Sequence, residues 1–205
     1  VQHGLIPRLG GLAIYAGFMV SVIATIGFTY EMVGIMVGAT FLIAVGIADD
    51  VYSLPPKVKL LGQIIAAAIP VVIFNINIEW IDVPRLGIIY LPEIISLPLT
   101  IFWIIGFVNT VNLIDGLDGL AGLICATAFA AYGGIALMQG NICVARFCFT
   151  VVGALFGFLW FNVHPAMRIM GDTGSLSMGA VLGVVALMTG QWVLLPIIAI
   201  IPVSE

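Results

Sequence analysis

The segment Ile101-Phe102-Trp103-Ile104-Ile105-Gly106-Phe107-Val108-Asn109-Thr110-Val111-Asn112-Leu113-Ile114-Asp115-Gly116-Leu117-Asp118-Gly119-Leu120-Ala121-Gly122-Leu123-Ile124-Cys125-Ala126 sets the reading of this chain. An apolar run enters a short polar passage with two aspartates and three glycines, then a second apolar run leaves it. The upstream run extends over 94–111 and the downstream one over 119–138. Each approaches the roughly 20 helical residues that cross a bilayer. The acids therefore sit in a turn between two membrane helices.

The same alternation runs through all 205 residues. Apolar helices are expected at 11–29, 32–48, 60–74, 94–111, 119–138, 144–161, 176–190 and 192–203, so seven to eight spans. Hydrophobic residues make up 62% and charged residues 8%. A soluble domain carries about 25% charged residues, so lipid must be the solvent for most of this surface. A net charge of -4 without a basic cluster argues against a nucleic-acid partner. Cys125, Cys143 and Cys148 lie in or beside apolar runs and read as small membrane-helix residues. Between Phe74 and Glu93, polar and apolar residues alternate around Pro84-Arg85-Leu86-Gly87, which predicts a small β-hairpin outside the hydrocarbon. The fold class is thus an all-α polytopic membrane protein with one extracytoplasmic hairpin, a single domain over 1–205.

Each crossing reverses the side of the next loop. The loops at 1–10, 49–59, 112–118 and 162–175 then share one side and hold Arg8, Lys57, Lys59 and Arg168, four of the six basic residues. That bias places them in the cytoplasm. Five of the six aspartates, Asp49, Asp50, Asp115, Asp118 and Asp172, fall on the same side. Acids next to a bilayer cost several kcal/mol unless paired or wet, so their convergence marks a site.

Four motifs carry the chemistry. Asp49-Asp50 ends one helix and Lys57-Val58-Lys59 opens the next. Adjacent carboxylates repel and call for a countercharge from the lysines or a divalent cation. Asp115 and Asp118 are three apart and share a face if that stretch is helical, with Asn109 and Asn112 adding amide groups. Gly171-Asp172-Thr173-Gly174-Ser175 precedes an apolar run as a turn presenting N–H groups, a hydroxyl and a carboxylate. Asn162 and His164 lie just upstream, and Pro7-Arg8-Leu9-Gly10-Gly11 opens the first helix. Oxygen donors alone select a hard ion such as Mg²⁺, or Mn²⁺.

Taken in order, Pro7-Arg8-Leu9-Gly10-Gly11, Asp49-Asp50 with Lys57-Val58-Lys59-Leu60-Leu61-Gly62-Gln63, Asn112-Leu113-Ile114-Asp115-Gly116-Leu117-Asp118-Gly119-Leu120, and His164-Pro165-Ala166 with Met170-Gly171-Asp172-Thr173-Gly174-Ser175 resemble the polyprenyl-phosphate N-acetylhexosamine-1-phosphate transferases, the MraY/WecA superfamily. The resemblance implies Mg-dependent transfer of a sugar phosphate from a UDP-amino sugar to undecaprenyl or another polyprenyl phosphate, with release of UMP, at the inner or plasma membrane. It implies catalytic roles for Asp49, Asp50 and Asp172, and metal binding by Asp172 and Asp115. Substrate contacts fall to Arg8, Lys57, Lys59, Asn112, Asp115, Asp118, Asn162 and His164. The loop at Ser53–Lys59 and the His164-Pro165 pair are similar to the branch using UDP-N-acetylglucosamine. The alternative branch uses UDP-linked muramoyl pentapeptide.

Met167, Ile169 and Ser177 depart from the residues common in that family. An N-terminal helix and a histidine-bearing C-terminal loop are expected outside this sequence, so the piece alone is expected to be inactive. A homodimer is one assembly the reading allows, and the oligomeric state stays open. The reaction can run by direct attack of the lipid phosphate or through a covalent aspartyl intermediate, and both stay open. The rival readings are an intramembrane aspartyl protease, which keeps its acids inside helices, a cation-coupled transporter, which keeps them at mid-bilayer, and a CDP-alcohol phosphotransferase, whose arginine after the acids is missing.

Overall fold

The structure is a computed structural model that describes residues 10–26, 29–83 and 87–194. Its elements, in chain order, are α1 (Gly10–Thr25), α2 (Tyr30–Tyr52), α3 (Pro56–Ala68), β1 (Trp80–Val83), β2 (Gly87–Tyr90), α4 (Glu93–Ile114), α5 (Leu120–Met138), α6 (Ile142–Asn162) and α7 (Gly171–Met188). Helix α3 runs on through a π turn, Ile69–Ile73. Pro70 supplies no N–H there, so the helical ladder must widen or break.

Among the described residues, six helices are long and apolar enough to cross a membrane, counting α3 with its π turn as one. Helix α1 is apolar but shorter, at 16 residues. The expected span at 192–203 falls almost wholly outside the described residues. The hairpin forms as predicted, with Trp80 opposite Tyr90 and Val83 opposite Gly87. It is moored to α4 by Ser96 Oγ, which donates to the Ile78 carbonyl at 2.7 Å, and by Thr100 Oγ1, which accepts from Ile78 N at 2.9 Å.

Of the helix ends that differ from the expected bounds, three bear most on function. Helix α2 continues to Tyr52, α3 begins at Pro56, and α7 begins at Gly171 instead of 176. Hydropathy underestimates a helix whose terminal turn is charged. Asp49, Asp50, Lys57 and Lys59 stand in terminal helical turns, as their reading at helix ends implies, and Asp172 stands in a first helical turn instead of in the turn before it. Asp172 in a first turn also benefits from the helix dipole.

Helix α7 is the axis of the bundle. Every residue from Thr173 to Leu187 is buried, yet α7 is the least apolar of the six spans. The helices around it show the reverse, with exposed Leu61, Ile64 and Ile65 on α3 and Ile94, Phe102 and Leu113 on α4. This distribution suits a bilayer, where the outer face must match lipid while the interior selects for close fit.

Glycine sets that fit. A Cβ at Gly46 of α2 would lie 2.5 Å from Thr173 Cα and 2.8 Å from the Asp172 carbonyl oxygen. One at Gly11 of α1 would lie 2.1 Å from Gly174 N, and one at Gly179 would lie 2.7 Å from the Phe107 oxygen of α4. Backbone meets backbone at these crossings, so neither side can yield by changing a rotamer.

Gly46→Ala is expected to lower the thermal unfolding temperature of the full-length protein in detergent, at a cost of about 1–3 kcal/mol from overpacking. Gly134→Ala, where an added Cβ has no neighbour within 4 Å, should leave it unchanged or slightly raised. Equal shifts in the two variants would contradict the tight α2–α7 crossing.

Candidate active site

Four helix ends meet at one end of the bundle. Lys59, in the first turns of α3, is central: its Nζ lies 2.9 Å from Asp49 Oδ2 at the end of α2. The same ammonium ion-pairs with Asp172 on α7 and donates to Asn112 Oδ1 on α4 at 3.4 Å. Asn112 Nδ2 in turn donates to Asp172 Oδ1 and to Ser175 Oγ, both at 2.9 Å. Asp49 Oδ1 also accepts from Leu54 N at 2.8 Å. That bond steadies the turn in which Ser53 takes a left-handed φ of 51°. The result is one ammonium shared by two carboxylates and an amide, contributed by four helices.

Asp50 faces α7. Its Oδ1 accepts from Asp172 N at 3.1 Å, and its Oδ2 accepts from Thr173 N at 3.0 Å and from Thr173 Oγ1 at 2.6 Å. The residue preceding α7, Met170, provides no side-chain cap. Asp50 thus caps α7 from across the interface, a carboxylate placed where free N–H groups and the positive end of the dipole favour it. Both oxygens are engaged, so Asp50 seats Asp172 in the structure described.

Asp115 lies in the turn after α4 and accepts from Gly171 N. Burial, then the neighbouring charges of Asp172 and Asp50, push its carboxyl up to about 7 from an ordinary 3.8, against the lowering effect of the Gly171 bond. A carboxyl poised near neutrality beside two others is a feature of functional sites.

The expectation that Asp115 and Asp118 share a helix face is corrected here. Residues 115–119 form a turn that closes on Gly119 at φ 78°, and the two acids diverge. Asp118 Oδ2 instead lies 3.1 Å from His164 Nδ1 and accepts from Ala166 N at 3.1 Å. Asn162, expected to touch substrate, is 4% exposed. Its Oδ1 accepts from Gly119 N at 3.1 Å, and its Nδ2 donates to the Arg168 carbonyl at 2.8 Å. In this structure it binds two loops together.

Lys57 is exposed and makes no ion pair among the described residues. Arg8 lies outside the described residues. Sequence reasoning left out Thr173 and Ser175, whose hydroxyls complete the α7 end, although a Ser/Thr-rich helix start was the available signal.

A bundle of apolar helices whose one end gathers carboxylates, an ammonium and amides has the build of a polytopic membrane protein. Residues 32–190 match Glycosyl transferase family 4, and the chain belongs to that family. It is 37% identical over 189 residues to the "Probable undecaprenyl-phosphate N-acetylglucosaminyl 1-phosphate transferase" of Bacillus subtilis (strain 168), covering 92% of this chain and 52% of that protein. It is also 37% identical over 217 residues to the "Phospho-N-acetylmuramoyl-pentapeptide-transferase" of Bacillus cytotoxicus, covering 97% of this chain and 66% of that one. The protein of that second name from Listeria monocytogenes serovar 1/2a is 34% identical over 154 residues, covering 74% of this chain and 48% of the relative. The chain spans about half to two thirds of the length of these curated relatives.

A carboxyl raised by the fold favours the folded state only while it is neutral. Its contribution is complete below the unfolded value of 3.8 and is lost as pH rises through about 7. Wild-type full-length protein without divalent metal should therefore lose more thermal stability between pH 5 and pH 8 than Asp115→Asn, measured by unfolding in detergent. Parallel pH profiles for the two proteins would refute the raised Asp115.

Proposed function

We propose that the whole protein transfers N-acetylhexosamine-1-phosphate, with N-acetylglucosamine as the sugar, from a UDP-sugar to polyprenyl phosphate and releases UMP. The observation that carries this reading is the ion cluster at one bundle end, where Lys59 is held by Asp49, Asp172 and Asn112. Such a reaction brings an anionic lipid phosphate to an anionic pyrophosphate. Its central difficulty is repulsion, and positioned cationic and polar groups address it. Family membership and relatives whose names carry undecaprenyl phosphate and acetylated amino sugars support the same chemistry. The positive-inside bias supports a cytoplasmic site.

The donors suit a magnesium ion. They are oxygens throughout, and Asp115 and Asp172 would hold it, with Asn112 and Ser175 alongside Asp172. Magnesium is commonly held by one or two carboxylates plus substrate phosphates. Its contribution when bound is to offset phosphate charge as UMP departs.

The chain's own groups do the rest. A phosphate monoester has its second pKa near 6, so the lipid phosphate is mostly dianionic at neutral pH and needs orientation more than deprotonation. Lys59, exchanging a carboxylate for a phosphate oxygen, holds an incoming anion as a point charge. Asp49, so released, orients the lipid phosphate through a water that donates to both, for direct attack on the sugar-proximal phosphorus with UMP as the leaving group. Asp50 keeps the first turn of α7 in place, and Asp118 with His164 lines the approach of the nucleotide.

The second reading, transfer of phospho-muramoyl pentapeptide, is favoured by the identity to the Bacillus cytotoxicus protein. Purified full-length protein should release UMP from UDP-N-acetylglucosamine only with polyprenyl phosphate and Mg²⁺ present. Asp49→Asn should cost roughly 10²-fold or more in turnover. Release from UDP-muramoyl pentapeptide instead would select the second reading, and release without the lipid acceptor would refute both.

A further inference from the structure

One turn in from the ion cluster, α3 and α4 are joined by a pair of amides. Gln63 Nε2 donates to Asn109 Oδ1 at 3.2 Å, and Asn109 Nδ2 donates back to Gln63 Oε1 at 2.8 Å. Gln63 is 1% exposed, and Asn109 is tied further to its own helix through the Ile105 carbonyl at 2.9 Å. Gln63 is four residues after Lys59, and Asn109 is three before Asn112, so each amide shares a helix face with a member of the cluster. Lys59–Asn112 and Gln63–Asn109 are two rungs of one ladder between the helices.

The rest of α3 offers little to hold Lys59 in place. Its buried residues are Gln63, Ala66 and Ala67 alone, while Val58, Leu60, Leu61, Ile64 and Ile65 are exposed. Its N-cap, Pro55, makes no side-chain cap bond. Toward α2 the contact is of small residues, with Gly62 against Val45 and Gly38 against the Ala66 carbonyl. Such a surface permits sliding and rotation. The reciprocal amide pair does not, because a shift of either helix breaks both bonds and strands the buried Gln63 amide without a partner, while Asn109 is exposed. A polar pair with a buried member can fix the register of packed helices.

We propose that Gln63 is a positioning residue. Through Asn109 it fixes the register of α3 on α4 and so aims the Lys59 ammonium at Asp49 and Asp172. Its place in a transfer reaction rests on the function proposed above, but its effect on Lys59 does not, and the two can be read separately.

The test is competitive acylation of full-length protein in nanodiscs with an amine-reactive reagent. Labelling of Lys59 is quantified by mass spectrometry against exposed Lys57 in the same molecule. Wild-type Lys59 should be protected. In Gln63→Leu its labelling relative to Lys57 should rise about tenfold, and kcat should fall about tenfold with KM for the UDP-sugar little changed, as for a group acting on the reacting geometry. The length-exchanged double variant Gln63→Asn/Asn109→Gln, which keeps both amides, should recover most of the protection. Unchanged Lys59 labelling in folded Gln63→Leu would overturn the proposal. If Gln63→Leu does not fold, Asn109→Asp keeps the bond from Gln63 Nε2, loses the returned one, and decides by the same labelling ratio. If no UDP-sugar is turned over by wild type, the functional reading fails while the labelling still rules on Gln63.

Discussion

The seating of the first turn of α7 is the constraint on which the site depends. Three free donors at that turn, two backbone N–H groups and a hydroxyl, end in the carboxylate of Asp50 on a different helix. Glycines at 11 and 46 let the backbones of α1 and α2 close on the same turn. A helix end pressed into an interface needs its donors satisfied, and inside a membrane protein the alternatives are few. Capping from α2 satisfies them and places Asp172 beside Lys59 in one step. Structure and site are therefore the same set of bonds viewed from two sides.

The interior follows a logic opposite to that of a soluble core. Helix α7, deepest in the bundle, carries Thr173, Ser175 and Ser177 with their hydroxyls turned back to helical or neighbouring partners. The outer helices carry the large apolar side chains. Lipid rewards hydrophobicity no more than a protein interior does, so association between these helices comes from close contact and hydrogen bonds, and small residues permit both.

Much of this was legible in the amino-acid sequence because bilayer thickness imposes a length on every apolar run. The spans, the hairpin around Pro84–Gly87 and the gathering of acids on one side followed from that. Asp49-Asp50 and Lys57-Val58-Lys59 were legible as helix ends, but the length of the charged terminal turns was not. Asp172 looked like a turn residue because hydropathy counts charge against a helix, whereas here a partner on another helix offsets it. The divergence of Asp115 from Asp118 depended on a backbone turn at Gly119 that spacing alone could not reveal. The burial of Asn162 was hidden for a similar reason: an asparagine that ties loops and one that meets a ligand look identical in sequence.

Lys59 offsets only one of the two carboxylates it touches, so the trio keeps one net negative charge. A lone anion would have to displace acids from their partner against that charge, and a cation seated between the two acids would have to displace the lysine. A visitor bearing both signs, such as a metal chelated by a diphosphate, can hand each group a replacement in one exchange. Discrimination against simple anions is then a property of how Lys59 and its two acids are arranged.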